Sequence, residues 1–350
     1  MKPVLFVTGH VAADRGGAFE LLHDRVSIEL ALYGGRHQHG APPGAPPAAV
    51  PHRFVGQREI GPLVASGAYR AVVVGTGGRV ALPAAWRAAR RSGVPFIFWA
   101  ALWRTPRTVA HLAATPLMRR VYRDADAIVT YGEHVSAYVR RHGATRVVVA
   151  PQTVDNEFWA AAAAAPRTDA RFAALFVGRP AREKGLAVVL AAWRRAALDG
   201  TLTVVGEQPR LPAGVVAAGR LDPAGLRNFY GSCDVLVVPS VSTRRFIEPW
   251  ALVVNEAMNQ GVAIIASNAV GAAAGGLVRD GRNGLIVQAG DSDALAQALT
   301  ALAGDRARCA ALGAAGREDV SAYTYERWAD AFAQALKLSP PSAPAGSVAR

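Results

Sequence analysis

Twice along the 350-residue chain, short β-branched runs alternate with stretches of helical periodicity, and that alternation leaves few folds open. In the first half the spacing predicts strands at residues 4–8, 71–74, 95–99, 127–130 and 147–150, the last stopped by Pro151. Residues 19–32 carry apolar positions near helical spacing and read as one helix. Residues 34–52, rich in Gly and Pro, read as a mobile loop. Near residue 160 the text changes: six alanines, 160–165, precede Pro166 and a polar stretch. The pattern then restarts, with strands predicted at 174–177, 202–205, 235–238, 263–266 and 284–287. Helices are predicted at 184–198, 223–231, 249–259, 291–303 and 306–335. Strands separated by helices of this length pair in parallel, with helices on both faces of the sheet. The chain therefore reads as two doubly wound α/β domains. Residues 1–158 form the first, 159–171 a linker and 172–320 the second. Residues 321–337 form a C-terminal helix that can cross back to the first domain, and 338–350 a disordered tail. Ligands in such folds sit at the carboxyl ends of the strands.

Composition narrows the function. Hydrophobic residues make up 51% and charged residues 19%, which supplies two cores and excludes a disordered chain. No uninterrupted apolar run reaches the ~18–20 residues of a membrane span. The N-terminal run is short and lacks a small-residue cleavage site, so no signal peptide is expected. Two cysteines, Cys233 and Cys309, exclude a disulfide framework or a Cys-rich zinc site and fit a reducing cytoplasm. The net charge is +13, and +9 of it falls in residues 1–157. That asymmetry fits an anionic partner such as a phosphorylated substrate or an acidic membrane, and also a plain basic surface. No zinc finger or RNP-type motif supports nucleic acid.

The most specific text is Ile247-Glu248-Pro249-Trp250-Ala251-Leu252-Val253-Val254-Asn255-Glu256. Pro is favoured at the first position of a helix, so Glu248 is expected at a helix start, with the N–H groups of Trp250 to Val253 forming an anion site beside it. Eight helical residues would carry Glu256 about 12 Å further along the same side. Carboxylate, amide cluster and carboxylate match a ligand with hydroxyls at both ends and phosphates between, such as a sugar nucleotide. Upstream, Gly178-Arg179 ends a predicted strand and Lys184-Gly185 opens the next helix. Lys184 is one of only three lysines, with Lys2 and Lys337. A guanidinium and an ammonium across a tight loop make a diphosphate clamp.

These motifs resemble the retaining glycosyltransferases of the family 4 type (group 1), which carry a glycine-arginine, a lysine-glycine and a glutamate-x7-glutamate block. The resemblance is strong over residues 172–335, and weaker across 1–160, where it rests on Gly16-Gly17 and PQTVD. It implies the GT-B fold, two Rossmann-like domains facing a central cleft. It implies that Arg179, Lys184 and Glu248 act in catalysis, the two cations holding the donor diphosphate. Glu248, with the amides around Ala251, Leu252 and Val253, would grip the donor sugar and β-phosphate. Glu256 would bind the ribose hydroxyls, and Gly219-Arg220 would meet the base. Gly178 belongs to the same donor site, and Gly16 and Gly17 would let the N-terminal loop approach the phosphates.

The resemblance further implies a nucleotide-diphosphate sugar as co-substrate, a hydroxyl acceptor, and no metal or other cofactor. Many relatives carry a histidine facing the donor sugar, where this chain has Trp99. His111 and His134, with His10, are the candidates to replace it. Trp99 and Trp103, four apart, fit either a core or a sugar platform. Residues 107–123 mix Arg with apolar residues and fit either a domain-facing helix interrupted at Pro116 or an anionic membrane surface. Such an enzyme would be cytoplasmic, with contact to the inner membrane face as one alternative. A sugar-nucleotide epimerase on the same scaffold, or a non-catalytic sugar-nucleotide binder, stands as the other functional reading.

Overall fold

A computed structural model describes residues 1–12, 15–35, 49–163, 171–207 and 210–338. The expected loop at 34–52, the linker at 159–171 and the tail at 338–350 lie largely outside those residues. Two compact units divide the chain. The first holds Met1–Thr105, Val109–Gln152 and the chain from Tyr325 onward; the second holds Pro106–Thr108 and Thr153–Thr324.

In the first unit the chain runs β1 (Val4–Thr8), α1 (Gly16–Val26), β2 (Ile28–Leu32), β3 (His52–Phe54), α2 (Ile60–Ala65), β4 (Ala71–Gly75), α3 (Ala81–Ser92), β5 (Phe96–Ala100), α4 (Val109–Asp124), β6 (Ala127–Thr130), α5 (Glu133–Arg141) and β7 (Val147–Val149). The strands form one parallel sheet in the order β3-β2-β1-β4-β5-β6-β7. Strand side chains alternate between its faces. Val4 and Phe6 pack with Phe19 and Leu22 of α1, whereas Leu5 and Val7 share a second core with Ile60, Leu82 and Val135. Burial on both faces explains why β1 up to Val7, β4 and β5 carry no polar side chain, as parallel strands require.

In the second unit the order is α6 (Asn156–Ala160), β8 (Phe172–Val177), α7 (Leu186–Ala196), β9 (Gly200–Val205), β10 (Val215–Gly219), α8 (Pro223–Ser232), β11 (Val235–Val238), α9 (Val253–Asn259), β12 (Ala263–Ser267), α10 (Gly271–Ala274), β13 (Gly284–Val287), α11 (Ser292–Gly304) and α12 (Arg306–Val320). Its parallel sheet runs β10-β9-β8-β11-β12-β13. Phe172, Ala174 and Phe176 of β8 pack with Val189, Leu295 and Leu299, while Leu175 between them is fully buried as well. A last helix, α13 (Tyr325–Leu338), returns to the first unit, where Trp328 and Phe332 pack against Phe6, Phe19 and Trp99.

Four local readings of the sequence are corrected. Residues 19–32 are not one helix: Ser27 takes φ 51°, its N–H closes on the His23 carbonyl at 2.7 Å, and the chain leaves as β2. The helical stretch at 306–335 is two helices, α12 and α13, in different units. Pro116 does not interrupt α4, which runs on through it. The helix expected over 249–259 starts only at Val253, with consequences for the site.

Candidate active site

In the sheet of the second unit, strand order reverses between β8 and β11. The loops leaving their carboxyl ends part there and create a crevice. The most distinctive motifs of the sequence lie on those two loops. Gly178 follows β8 directly, and its N–H bonds to the Val205 carbonyl at 3.0 Å. Arg179 comes next, and residues Arg182–Lys184 form one turn of 3-10 helix ending at Gly185. Gly185 has φ 74°, and a Cβ there would stand 2.1 Å from the Pro239 carbonyl oxygen of the loop after β11. Only glycine lets the two loops approach this closely. The Val241 N–H donates to the Glu183 carbonyl at 2.9 Å and ties them together.

That approach brings Lys184 to Glu248. The ammonium Nζ lies 2.6 Å from Glu248 Oε2, with side-chain exposures of 23% and 8%. Ser240 Oγ donates to the same oxygen at 3.4 Å. A buried carboxylate needs such partners, because burial of an unpaired charge is costly. Arg179 pairs with Glu183 four residues on and remains largely exposed at the mouth. Burial alone would raise the Glu183 carboxyl. Its own backbone N–H and the Arg179 guanidinium more than offset this and hold it below the usual carboxylate value.

Glu248 does not stand at a helix start. It forms a parallel bridge with Val270, and its carbonyl accepts from the Gly271 N–H at 3.1 Å. The Trp250 carbonyl likewise accepts from the Ala272 N–H at 2.9 Å, so the segment runs extended beside residues 270–272. Ala251 then takes φ 76°, a left-handed conformation rare for residues with a Cβ. Leu252, at φ −59° and ψ −27°, caps α9. Left-handed followed by right-handed residues turn successive N–H groups into one concavity, an anion-binding nest. Among the described residues the backbone N–H groups of Ala251, Leu252 and Val253 take no hydrogen-bond partner. An amide cluster therefore exists where the sequence reading expected one, made by a strained turn rather than a proline-started helix.

Glu256 lies in the first turn of α9 and is buried. The spacing argument over eight helical residues does not hold, since most of the span from Glu248 is not helical. Glu256 Oε2 instead accepts the phenol hydroxyl of Tyr230 at 2.7 Å. Burial, then the Glu256 charge and this hydrogen bond, push the Tyr230 phenol well above its ordinary value, so it stays a neutral donor. Gly219 ends β10 with φ 67°, its carbonyl accepting from the Gly206 N–H at 2.7 Å, and Arg220 beyond it is exposed.

Sequence reasoning missed Glu183, Ser240 and Tyr230. Glu183 had a signal, its i,i+4 spacing from Arg179. Ser240 and Tyr230 reach their carboxylates only through tertiary packing.

The candidates in the first unit are scattered. Gly16 opens α1, and Gly17 makes room for a ring: a Cβ there would stand 2.8 Å from Tyr325 Cε2. Trp99 is a core residue, 5% exposed, among Phe6, Trp328 and Phe332. Trp103 is half-buried, its ring 5.3 Å from that of His134 in α5. His111 is exposed on α4, and its carbonyl accepts from Thr115 Oγ1 at 3.0 Å. His10 is exposed after β1. These side chains lie on separate elements.

Known proteins resemble this chain in sequence and in fold. The profile of the family "Glycosyl transferases group 1" matches residues 171–305. Alpha-maltose-1-phosphate synthase of Mycolicibacterium smegmatis is 34% identical over 167 residues, 41% of this chain and 41% of that protein. Phosphatidyl-myo-inositol mannosyltransferase of Mycobacterium leprae is 33% identical over 186 residues, 49% of this chain and 47% of that protein. The matched stretch thus spans less than half the length of these curated relatives. Among solved structures, Anabaena HepE in complex with UDP superposes with a TM-score of 0.74 at 16% identity, covering 96% of this chain and 99% of that one. Residues 171–305 are thus similar to the group 1 glycosyl transferases, and the two parallel-sheet units have the fold of the GT-B glycosyltransferases.

Proposed function

We propose that the protein is a retaining glycosyltransferase of the family 4 type that moves a sugar from a nucleotide-diphosphate donor to a hydroxyl acceptor without a dedicated metal. One observation carries the reading. At the switch point of one sheet, Lys184, Glu248 and the amides of Ala251 to Val253 come together on two loops locked at Gly185. Two relatives whose names specify sugar transfer or sugar-phosphate synthesis, and a fold neighbour that binds UDP, support it.

Charge development assigns the roles. When the bond from the sugar anomeric carbon to the β-phosphate oxygen breaks, negative charge grows on the leaving diphosphate. Cations and amides fixed in place beforehand stabilise that charge without reorganising. Lys184 has three N–H donors, so it can keep Glu248 and still reach a phosphate oxygen. Arg179, exposed at the mouth, brings a planar fork suited to a second phosphate oxygen. Glu248 orients Lys184 and accepts from donor-sugar hydroxyls, and Glu256, held by Tyr230, accepts from the ribose. The acceptor oxygen attacks the anomeric carbon on the face the diphosphate leaves, and its proton passes to a departing phosphate oxygen. An anionic or lipid-linked acceptor fits the basic N-terminal half. It also fits α4, where Val109 and Leu112 are 84% and 60% exposed and Arg119, Arg120 and Arg123 are exposed further along the helix.

Thermal stabilisation by a panel of UDP-, GDP-, ADP- and dTDP-sugars tests the reading. A nucleotide-selective rise in Tm, lost in Lys184→Ala and Glu256→Ala, is expected. No rise with any of them would refute it.

A further inference from the structure

Glu248 stands in extended chain and Glu256 in α9, and a side-chain bridge closes the span between them. Trp250 Nε1 donates to Asn255 Oδ1 at 2.8 Å. The bridge begins just after Glu248 and ends just before Glu256. Inside it lie Ala251, with φ 76°, and Leu252, where the extended chain turns into the helix. Asn255 is fully buried and Trp250 is 2% exposed.

A buried asparagine in a helix calls for a reason. Its amide competes with the backbone for hydrogen bonds, and its burial is costly unless partners are supplied. A leucine would fill much the same space without that cost. Here a partner is the indole N–H on the other side of the turn, and both ends of the bridge are anchored. The Trp250 carbonyl accepts from the Ala272 N–H at 2.9 Å, and its ring lies 5.9 Å from that of Tyr323. A Cβ on Gly271 would stand 1.8 Å from the Pro249 carbonyl oxygen, so the chain before the turn is pressed against residue 271. At the other end, Asn259 Nδ2 donates at 2.9 Å to the Asn255 carbonyl and at 2.9 Å to Asn156 Oδ1. Asn156 Nδ2 donates in turn to the Tyr323 carbonyl at 3.1 Å, which returns the network to the residue beside the Trp250 ring.

A left-handed residue with a Cβ persists only where its surroundings over-determine it. Alanine has no preference for that conformation, so the restraint comes from outside residue 251, and the Trp250–Asn255 bridge spans it. Were the turn to relax, α9 would shift against the extended segment, and the offset between the two carboxylates would change. We propose that Asn255, acting through Trp250, is a positioning residue that sets the offset between Glu248 and Glu256, so that both carboxylates meet one nucleotide-sugar donor at the same time. The inference rests on the transferase reading for the identity of that ligand. It adds the residue that makes two separate contacts into one site, where a displacement of about 1 Å is enough to matter.

Calorimetric titration of the full chain with UDP-, GDP-, ADP- and dTDP-glucose, each beside its nucleoside monophosphate, tests the role, with Tm read in parallel. A nucleotide sugar reaches both carboxylates, and a monophosphate reaches the ribose site at Glu256 alone. Asn255→Leu should bind the nucleotide sugar roughly 10-fold or more weakly and its monophosphate within about twofold of the wild type. Trp250→Phe, which keeps a ring and serves if Asn255→Leu does not fold, should show the same selective loss. The double variant should lose no more affinity than either single, because each breaks the one bridge. Tm should not follow that pattern, since Trp250→Phe also opens a cavity. A merely structural Asn255 predicts nucleotide-sugar affinity that is unchanged, that falls equally for the monophosphate, or that falls additively in the double variant. Any of these overturns the inference and leaves the transferase reading standing. A wild-type protein that binds none of the nucleotide sugars overturns both.

Discussion

Lys184 Nζ and Glu248 Oε2 stand 2.6 Å apart although 64 residues separate them in the chain. The pair joins the two loops at the switch point of the second sheet. Lys184→Ala would leave Glu248, 8% exposed, still accepting from Ser240 but without its cation. Because Lys184 retains some water contact, the stability loss should fall near about 1–3 kcal/mol, below the full cost of a buried unpaired charge. Glu248→Gln keeps the volume and should cost less. Chemical denaturation of the two single variants and the double variant, treated as a cycle, measures the coupling.

Tyr230 and Glu256 make the second pairing of the site, at 2.7 Å and fully buried on the tyrosine side. Tyr230→Phe removes one hydroxyl and creates no cavity. The carboxylate loses a donor, and about 1–3 kcal/mol of stability should go with it. If Glu256 grips the ribose, the donor KM should rise while kcat changes little. Steady-state kinetics across donor concentrations separates the two.

Phe332 lies in α13 at the C-terminus and is buried in the core of the first unit. Phe332→Ala should cost about 3–5 kcal/mol, and the loss should fall on that unit. Hydrogen exchange read by peptide should show faster exchange in β1, α1 and β5, and unchanged exchange in β8, β11 and β12.

Asp319 of α12 accepts from Arg282 and Asn283 and pairs with Arg279, and its carboxyl is 10% exposed. The hydrogen bond from Arg282 outweighs burial and lowers its pKa from 3.8 to about 2. A carboxyl whose folded pKa is depressed contributes stability that is complete above its unfolded pKa and is lost as pH falls through the folded one. The Tm gap between the wild type and Asp319→Asn should therefore be constant at neutral pH. It should narrow as pH falls from 3.8 toward about 2.

The central strands were legible because both of their faces are buried, so residues 235–238 read directly as an unbroken apolar run, whereas the largely exposed edge strands β3 and β10 went unread. β2 was not legible either, since Ile28–Leu32 continues the apolar spacing of α1 and only the left-handed turn at Ser27 separates them. The identities of the site, Arg179, Lys184, Glu248 and Glu256, came from their motifs. Their geometry did not. The amides of Ala251 to Val253 converge through a positive φ at an alanine, which no propensity predicts. The partners Ser240 and Tyr230 arrive from other elements.

The most direct test of the central claim is UDP release from UDP-glucose, with GDP-, ADP- and dTDP-glucose run in parallel, by chelator-treated protein with and without Lys184→Ala. The account predicts nucleotide release from one of these donors in the absence of metal. It predicts a loss of at least about 100-fold in the variant, the scale expected when one preorganised charge is removed from a transition state. No release from any of them, or release that Lys184→Ala leaves unchanged, would contradict it.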